Sequence, residues 1–104
     1  MDQILLLITT EPNKKTAEKI AKLLISKKLA ACVNLKNIYS IYEWEGKIEE
    51  GVEIEITIKS KPKLKNALID FLQKKTSYDI PQIIYKRFNS EKKYKNWLNN
   101  TISN

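Results

Sequence analysis

No histidine occurs among the 104 residues. Its absence removes the commonest general base at neutral pH and the commonest transition-metal ligand together. Cys32 is the one cysteine, which excludes both a disulfide within the chain and a tetrahedral Cys/His zinc site in one copy. A lone thiol suits a reducing compartment. With 2 Gly and 3 Pro, the sequence offers neither a Gly-rich phosphate loop nor a low-complexity linker. Arginine is scarce too, since Arg87 is the only one among 19 basic residues. Lysine lacks the planar fork that reads phosphates and bases, so the basic surface is expected to be a solvated one. The longest purely aliphatic run, Ile4 to Ile8, is too short to span a membrane and lacks the flanks of a signal peptide. A soluble, cytoplasmic protein without a membrane partner is expected.

What is present reads as one globular domain over residues 1–104, with 42% hydrophobic and 30% charged residues. The net charge of +7 is unevenly spread. Residues 43–55 hold Glu43, Glu45, Glu49, Glu50, Glu53 and Glu55 against Lys47 alone, while the rest of the chain is strongly basic. Such a division fits acidic partners on one side and cations on the other.

Periodicity supplies the elements. Ile4 to Ile8 reads as a central strand that ends at Thr9-Thr10-Glu11-Pro12. Asn13 can cap a helix whose Ala17, Ile20, Ala21 and Leu24 share one face. A second strand starts near Ala30 and continues through Tyr39, Ile41 and Tyr42 to Trp44, where Glu45-Gly46 signals a hairpin. Val52, Ile54, Ile56 and Ile58 then alternate with Glu53, Glu55, Thr57 and Lys59, the mark of a strand with one buried face. A helix opens at Pro62 and carries Leu64, Leu68, Phe71 and Leu72. A loop follows at Tyr78-Asp79-Ile80-Pro81, then a strand over Ile83 to Phe88 and a last helix capped by Ser90. The order predicts an α+β, ferredoxin-like βαββαβ domain with a long central hairpin and a C-terminal helix.

The hairpin is too long for its cover. Two strands of about 13 residues reach roughly 45 Å, whereas the helix after them spans only about 21 Å. The overhang carries Tyr39, Ile41, Tyr42, Trp44 and Ile48, an apolar patch that soluble monomers avoid. These residues are expected to form the interface with other copies of the chain in a closed ring. A sharp break at Lys36-Asn37, folding the strand back over its own sheet, is the alternative.

Few residues promise chemistry. Cys32 lies among Ala30, Ala31 and Val33 and reads as a small buried hydrophobe. The acidic segment resembles a set of hard-cation ligands and suits weak Ca²⁺ or Mg²⁺ binding. Lys59, Tyr78 and Asp79 fall at strand ends or in loops, where sites gather. An RNA-recognition sheet would need aromatic residues on its first and third strands, and here those strands are aliphatic and acidic. No nucleic-acid partner is expected. An acylphosphatase-like site would need an arginine in the first loop, which instead holds Glu11. No enzymatic activity is expected.

The runs Ala30-Ala31-Cys32-Val33-Asn34, Ser40-Ile41-Tyr42-Glu43-Trp44-Glu45-Gly46-Lys47-Ile48-Glu49 and Ile58-Lys59-Ser60, followed by Tyr78-Asp79-Ile80-Pro81 and Trp97-Leu98, resemble the CutA family of divalent-cation tolerance proteins. The resemblance extends through nearly the whole chain in order and spacing. It implies a ferredoxin-like subunit, a homotrimer built through the hairpins, architectural kinship with trimeric PII signalling proteins, and a role in copper and divalent-ion tolerance. It also implies an intersubunit cleft for an ion or small anion near Cys32, Trp44, Lys59, Tyr78, Asp79 and Gln82. A PII-like nucleotide or small-molecule sensor is the alternative function. Where relatives carry a His-Pro-Tyr-Glu-x-Pro-Glu stretch, this chain has Thr76-Ser77-Tyr78-Asp79-Ile80-Pro81-Gln82. Thr76 therefore stands at the family's histidine and Gln82 at its closing glutamate, which leaves at most a weakly held divalent cation such as Cu²⁺.

Overall fold

The computed structural model describes residues 2–102. Its elements are β1 (Gln3–Glu11), α1 (Lys14–Ser26), β2 (Cys32–Trp44), β3 (Lys47–Ser60), a 3₁₀ turn (Pro62–Leu64), α2 (Lys65–Lys75), β4 (Ile84–Asn89) and α3 (Lys92–Thr101). The strands form one antiparallel sheet in the order β2-β3-β1-β4. This is the α+β, ferredoxin-like arrangement expected from the element order. Among the described residues, no helix is long and apolar enough to cross a membrane.

Strand alternation sorts the core. Leu5 and Leu7 of β1 share a face with Ile54, Ile56 and Ile58 of β3, and α1 and α2 close over them with Ala17, Ile20, Leu24, Leu68 and Leu72. Ile4 points the other way. It packs with Ala31, Leu98 and Ile102 in a smaller cluster beneath α3. Asn13 caps α1 as expected, its Oδ1 accepting from the Thr16 N–H at 2.9 Å. Asn13→Ala should therefore lower stability by about 1 kcal/mol, visible in thermal unfolding as a fall of a few degrees.

Several boundaries differ from the periodicity. β1 continues past Ile8 because Thr9, Thr10 and Glu11 still pair with Ile56, Glu55 and Ile54. Pro62 opens a single 3₁₀ turn, and the α-helix proper starts at Lys65. Glu91, not Ser90, caps α3: its carboxylate accepts from the Lys93 and Tyr94 N–H groups at 2.9 and 2.8 Å. Ser90 is still tied to the sheet end, its N–H donating to the Asp2 carbonyl at 2.8 Å.

The hairpin does not break at Lys36-Asn37. Those residues pair with Glu55 and Ile54, and the ladder runs on to Trp44 opposite Lys47. Glu45 and Gly46 both have positive φ, 51° and 79°, the geometry of a tight two-residue turn that a right-twisted hairpin favours. The result is an elongated subunit measuring 45 × 24 × 22 Å. The core helices reach only as far as Ile54. Beyond it Tyr39, Ile41, Ile48 and Val52 are 61–76% exposed, and Tyr42 and Trp44 are exposed by nearly half.

Candidate functional site

The loop after α2 builds the main cleft. Thr76 ends the helix by turning its hydroxyl back to the Leu72 carbonyl at 2.9 Å. Ser77 then crosses the end of β1. Its N–H and hydroxyl donate to the two oxygens of Glu11 at 2.8 and 2.7 Å. Tyr78 reaches β3, where its hydroxyl donates to Glu53 Oε1 at 2.7 Å. The loop and the distal hairpin enclose an open cleft of about 620 Å³. Ile41, Tyr42, Trp44 and Ile80 form its apolar walls, and Ser40, Glu53, Asp79 and Gln82 supply polar groups.

Electrostatics here runs negative on a basic protein. Partial burial, followed by the hydrogen bond and charge of Glu53, pushes the Tyr78 phenol well above the ordinary tyrosine range. Tyr78 is thus a neutral donor at any physiological pH. Tyr39, outside the cleft, is also shifted upward by its 2.6 Å hydrogen bond to Glu50.

Trp44, Tyr78, Asp79 and Gln82 converge on this cleft, together with Ile41 and Tyr42 from the expected interface. Tyr39 and Ile48 lie elsewhere on the hairpin, exposed to solvent. Cys32 and Lys59 do not join the cleft within one chain. They face each other as cross-strand partners, six β2 residues from the Ile38–Glu53 pair, which is about 20 Å along the strand. Cys32 is half-buried instead of enclosed. Thr76, at the position where relatives carry histidine, spends its hydroxyl on the α2 terminus and does not line the cleft.

The donor set decides which metals fit. Among the described residues, no group of three or more Asp, Glu, Cys or His side chains gathers. The cleft offers oxygen donors from Glu53, Asp79, Ser40 and Gln82. Copper selects imidazole and sulfur ligands, so these residues do not fit copper within one chain; two carboxylates match a weakly held hard cation better.

Reading the sequence missed two members of the site, Ser77 and Glu11, and reached Glu53 only within the acidic segment expected to hold a hard cation. Ser77 was visible only as the residue before Tyr78. Glu11 lay just beyond the predicted strand end. Extending the alternation from Leu5 and Leu7 by two steps places Glu11 on the buried face, and that was the available signal.

Comparison with known proteins agrees with the fold. A sequence model of the CutA1 divalent ion tolerance protein matches residues 5–101. Human protein CutA is 47% identical over 76 residues, which cover 72% of this chain and 42% of the human one. The chain thus spans less than half the length of that relative. The divalent-cation tolerance protein CutA of Pyrococcus horikoshii is 37% identical over 81 residues, covering 78% of this chain and 79% of that one. The crystal structure of divalent ion tolerance protein CutA1 from Ehrlichia chaffeensis superposes with a TM-score of 0.93 at 34% identity, covering 100% and 99% of the two chains. With almost its whole length matched in sequence and in fold, the chain belongs to the CutA1 divalent ion tolerance protein family.

Proposed function

We propose that this chain serves divalent-ion tolerance as a cytoplasmic, non-enzymatic homotrimer that binds an ion or a small anion in a cleft at the subunit boundary. The observation that carries this reading is the uncovered distal hairpin. Tyr39, Ile41, Ile48 and Val52 share one largely apolar face with Glu43 and Glu50, since cross-strand partners share a side and Tyr39 pairs with Val52. A face of this kind on an unpaired edge strand calls for a second copy. β2 and β4 are the two sheet edges, and all six β4 residues are exposed. An edge-to-edge contact between β2 of one copy and β4 of the next repeats head to tail, and such contacts close into a ring.

The same contact would bring a neighbour's sheet end against the Tyr78 cleft. Lys59 and Cys32 would then enter the site from the adjacent copy. The lack of histidine in the sequence supports binding over turnover. The oxygen-rich lining supports Mg²⁺ or Mn²⁺ over Cu²⁺.

Sedimentation velocity at micromolar concentration, followed by calorimetric titration with Mn²⁺, Mg²⁺ and Cu²⁺, tests this reading. A trimer that binds Mn²⁺ weakly, with the heat lost in Glu53→Gln, is the expected result. A single chain in solution would overturn it. Thermal stabilisation by nucleotides without any response to metal would move the assignment to the PII-like alternative.

A further inference from the structure

We infer that Glu11 is a positioning residue for the cleft: buried beneath the loop, it clamps Ser77 and thereby holds Tyr78 against Glu53. This inference rests on reading the Tyr78 cleft as the binding site.

Glu11 is fully buried, while Ser77, which closes over it, is exposed. A carboxylate removed from water requires donors for its oxygens. Both donors come from one residue, because Ser77 gives its N–H to one oxygen and its hydroxyl to the other. Among the described residues, the salt bridges are Lys74–Asp70 and Lys95–Asp2, neither of which involves Glu11. The Thr9 hydroxyl, two positions back on the same face, is buried without a hydrogen-bond partner. Glu11 and Ser77 therefore form a closed pair, and the pair joins residues 66 apart in sequence.

The clamp acts one residue before the side chain that matters. Tyr78 follows Ser77 directly, so fixing the Ser77 backbone sets where the phenol emerges. Glu53, its acceptor, projects from the opposite face of the sheet to Ile54, which pairs with Glu11. The loop thus wraps the end of β1 with one anchor on each face of the sheet.

Tyrosine-labelled protein studied by NMR at one neutral pH tests the assignment, with the Tyr78 ring signal identified by its loss in Tyr78→Phe. In the wild type, that signal should stand apart from those of the exposed tyrosines, because the clamp holds the ring against β3. Glu11→Leu should move the Tyr78 signal to the position of the exposed tyrosines and weaken Mn²⁺ binding at least about tenfold. Glu11→Gln should preserve most of both properties, since an amide can accept from the Ser77 N–H and donate to its hydroxyl. A merely structural Glu11 would lower the melting temperature in the Leu variant and leave Tyr78 unmoved, which would overturn the inference. Should the Leu variant not fold, amide exchange in the wild type decides: a Ser77 N–H slowed at least about a hundredfold supports the clamp, and an unprotected one refutes it. The Tyr78 ring signal is read without metal, so a cleft that binds no ion would defeat the proposed function and leave this test standing.

Discussion

Placing aspartate at both Ile41 and Ile48 is expected to leave each subunit folded and to abolish assembly. The two residues are 67% and 76% exposed and lie on one face of the hairpin, because Ile41 pairs with Glu50 and Ile48 with Glu43. Neither touches the core that ends at Ile54. Burying an isoleucine in an interface contributes about 1.5–3 kcal/mol. Replacing it with a carboxylate forfeits that gain and adds repulsion from Glu43 and Glu50. Two such changes should cost about 6 kcal/mol of association, or roughly four decades in the dissociation constant. Sedimentation velocity would show the proposed trimer replaced by a single chain, with an unchanged far-UV circular dichroism spectrum. Ile25→Asp serves as the control, since Ile25 is 41% exposed but sits on α1, which covers the core half of the sheet and not the distal hairpin. An assembly that survives the double substitution would exclude this face as the interface.

The second large effect lies in the core. Ile56 is fully buried on β3, paired with Leu35 of β2 on one side and Thr9 of β1 on the other. No backbone shift can close a void there without disturbing both ladders. Ile56→Ala should therefore lower stability by about 2–5 kcal/mol, and Ile56→Val by only about 0.5–1.5 kcal/mol. The loss is large against the roughly 5–15 kcal/mol that holds a small domain together. Chemical denaturation should be run in the Ile41→Asp, Ile48→Asp background, because the stability of an assembly varies with protein concentration. Equal costs for the two substitutions would show that the site relaxes and is not packed as described.

Much of this architecture is legible in the amino-acid pattern alone. The alternation from Val52 to Lys59 placed Ile54, Ile56 and Ile58 on one face, where they are indeed buried, and the spacing of Ala17, Ile20 and Leu24 named the face of α1 that meets them. The Glu45-Gly46 turn was equally plain, since few dipeptides tolerate two left-handed residues. The overhang followed from lengths alone. The cap of α3 was misplaced by one residue, because Ser90 and Glu91 are both good acceptors and only the course of the chain out of β4 selects between them.

The site was legible only in part. Tyr78, Asp79, Gln82 and Trp44 stood out through their motifs, and the fold gathers them into one cleft. Cys32 and Lys59 stood out equally, yet the ladder sets them about 20 Å along the strand from that cleft. Periodicity reports which way a side chain faces over the next few residues, and so element order, core faces and the excess length of the hairpin were all available from local pattern. It carries no information about where a loop lands. That Ser77 closes over Glu11, and that Tyr78 thereby finds Glu53 across 25 residues of chain, emerged only once the sheet had brought the end of β1 beneath the end of α2.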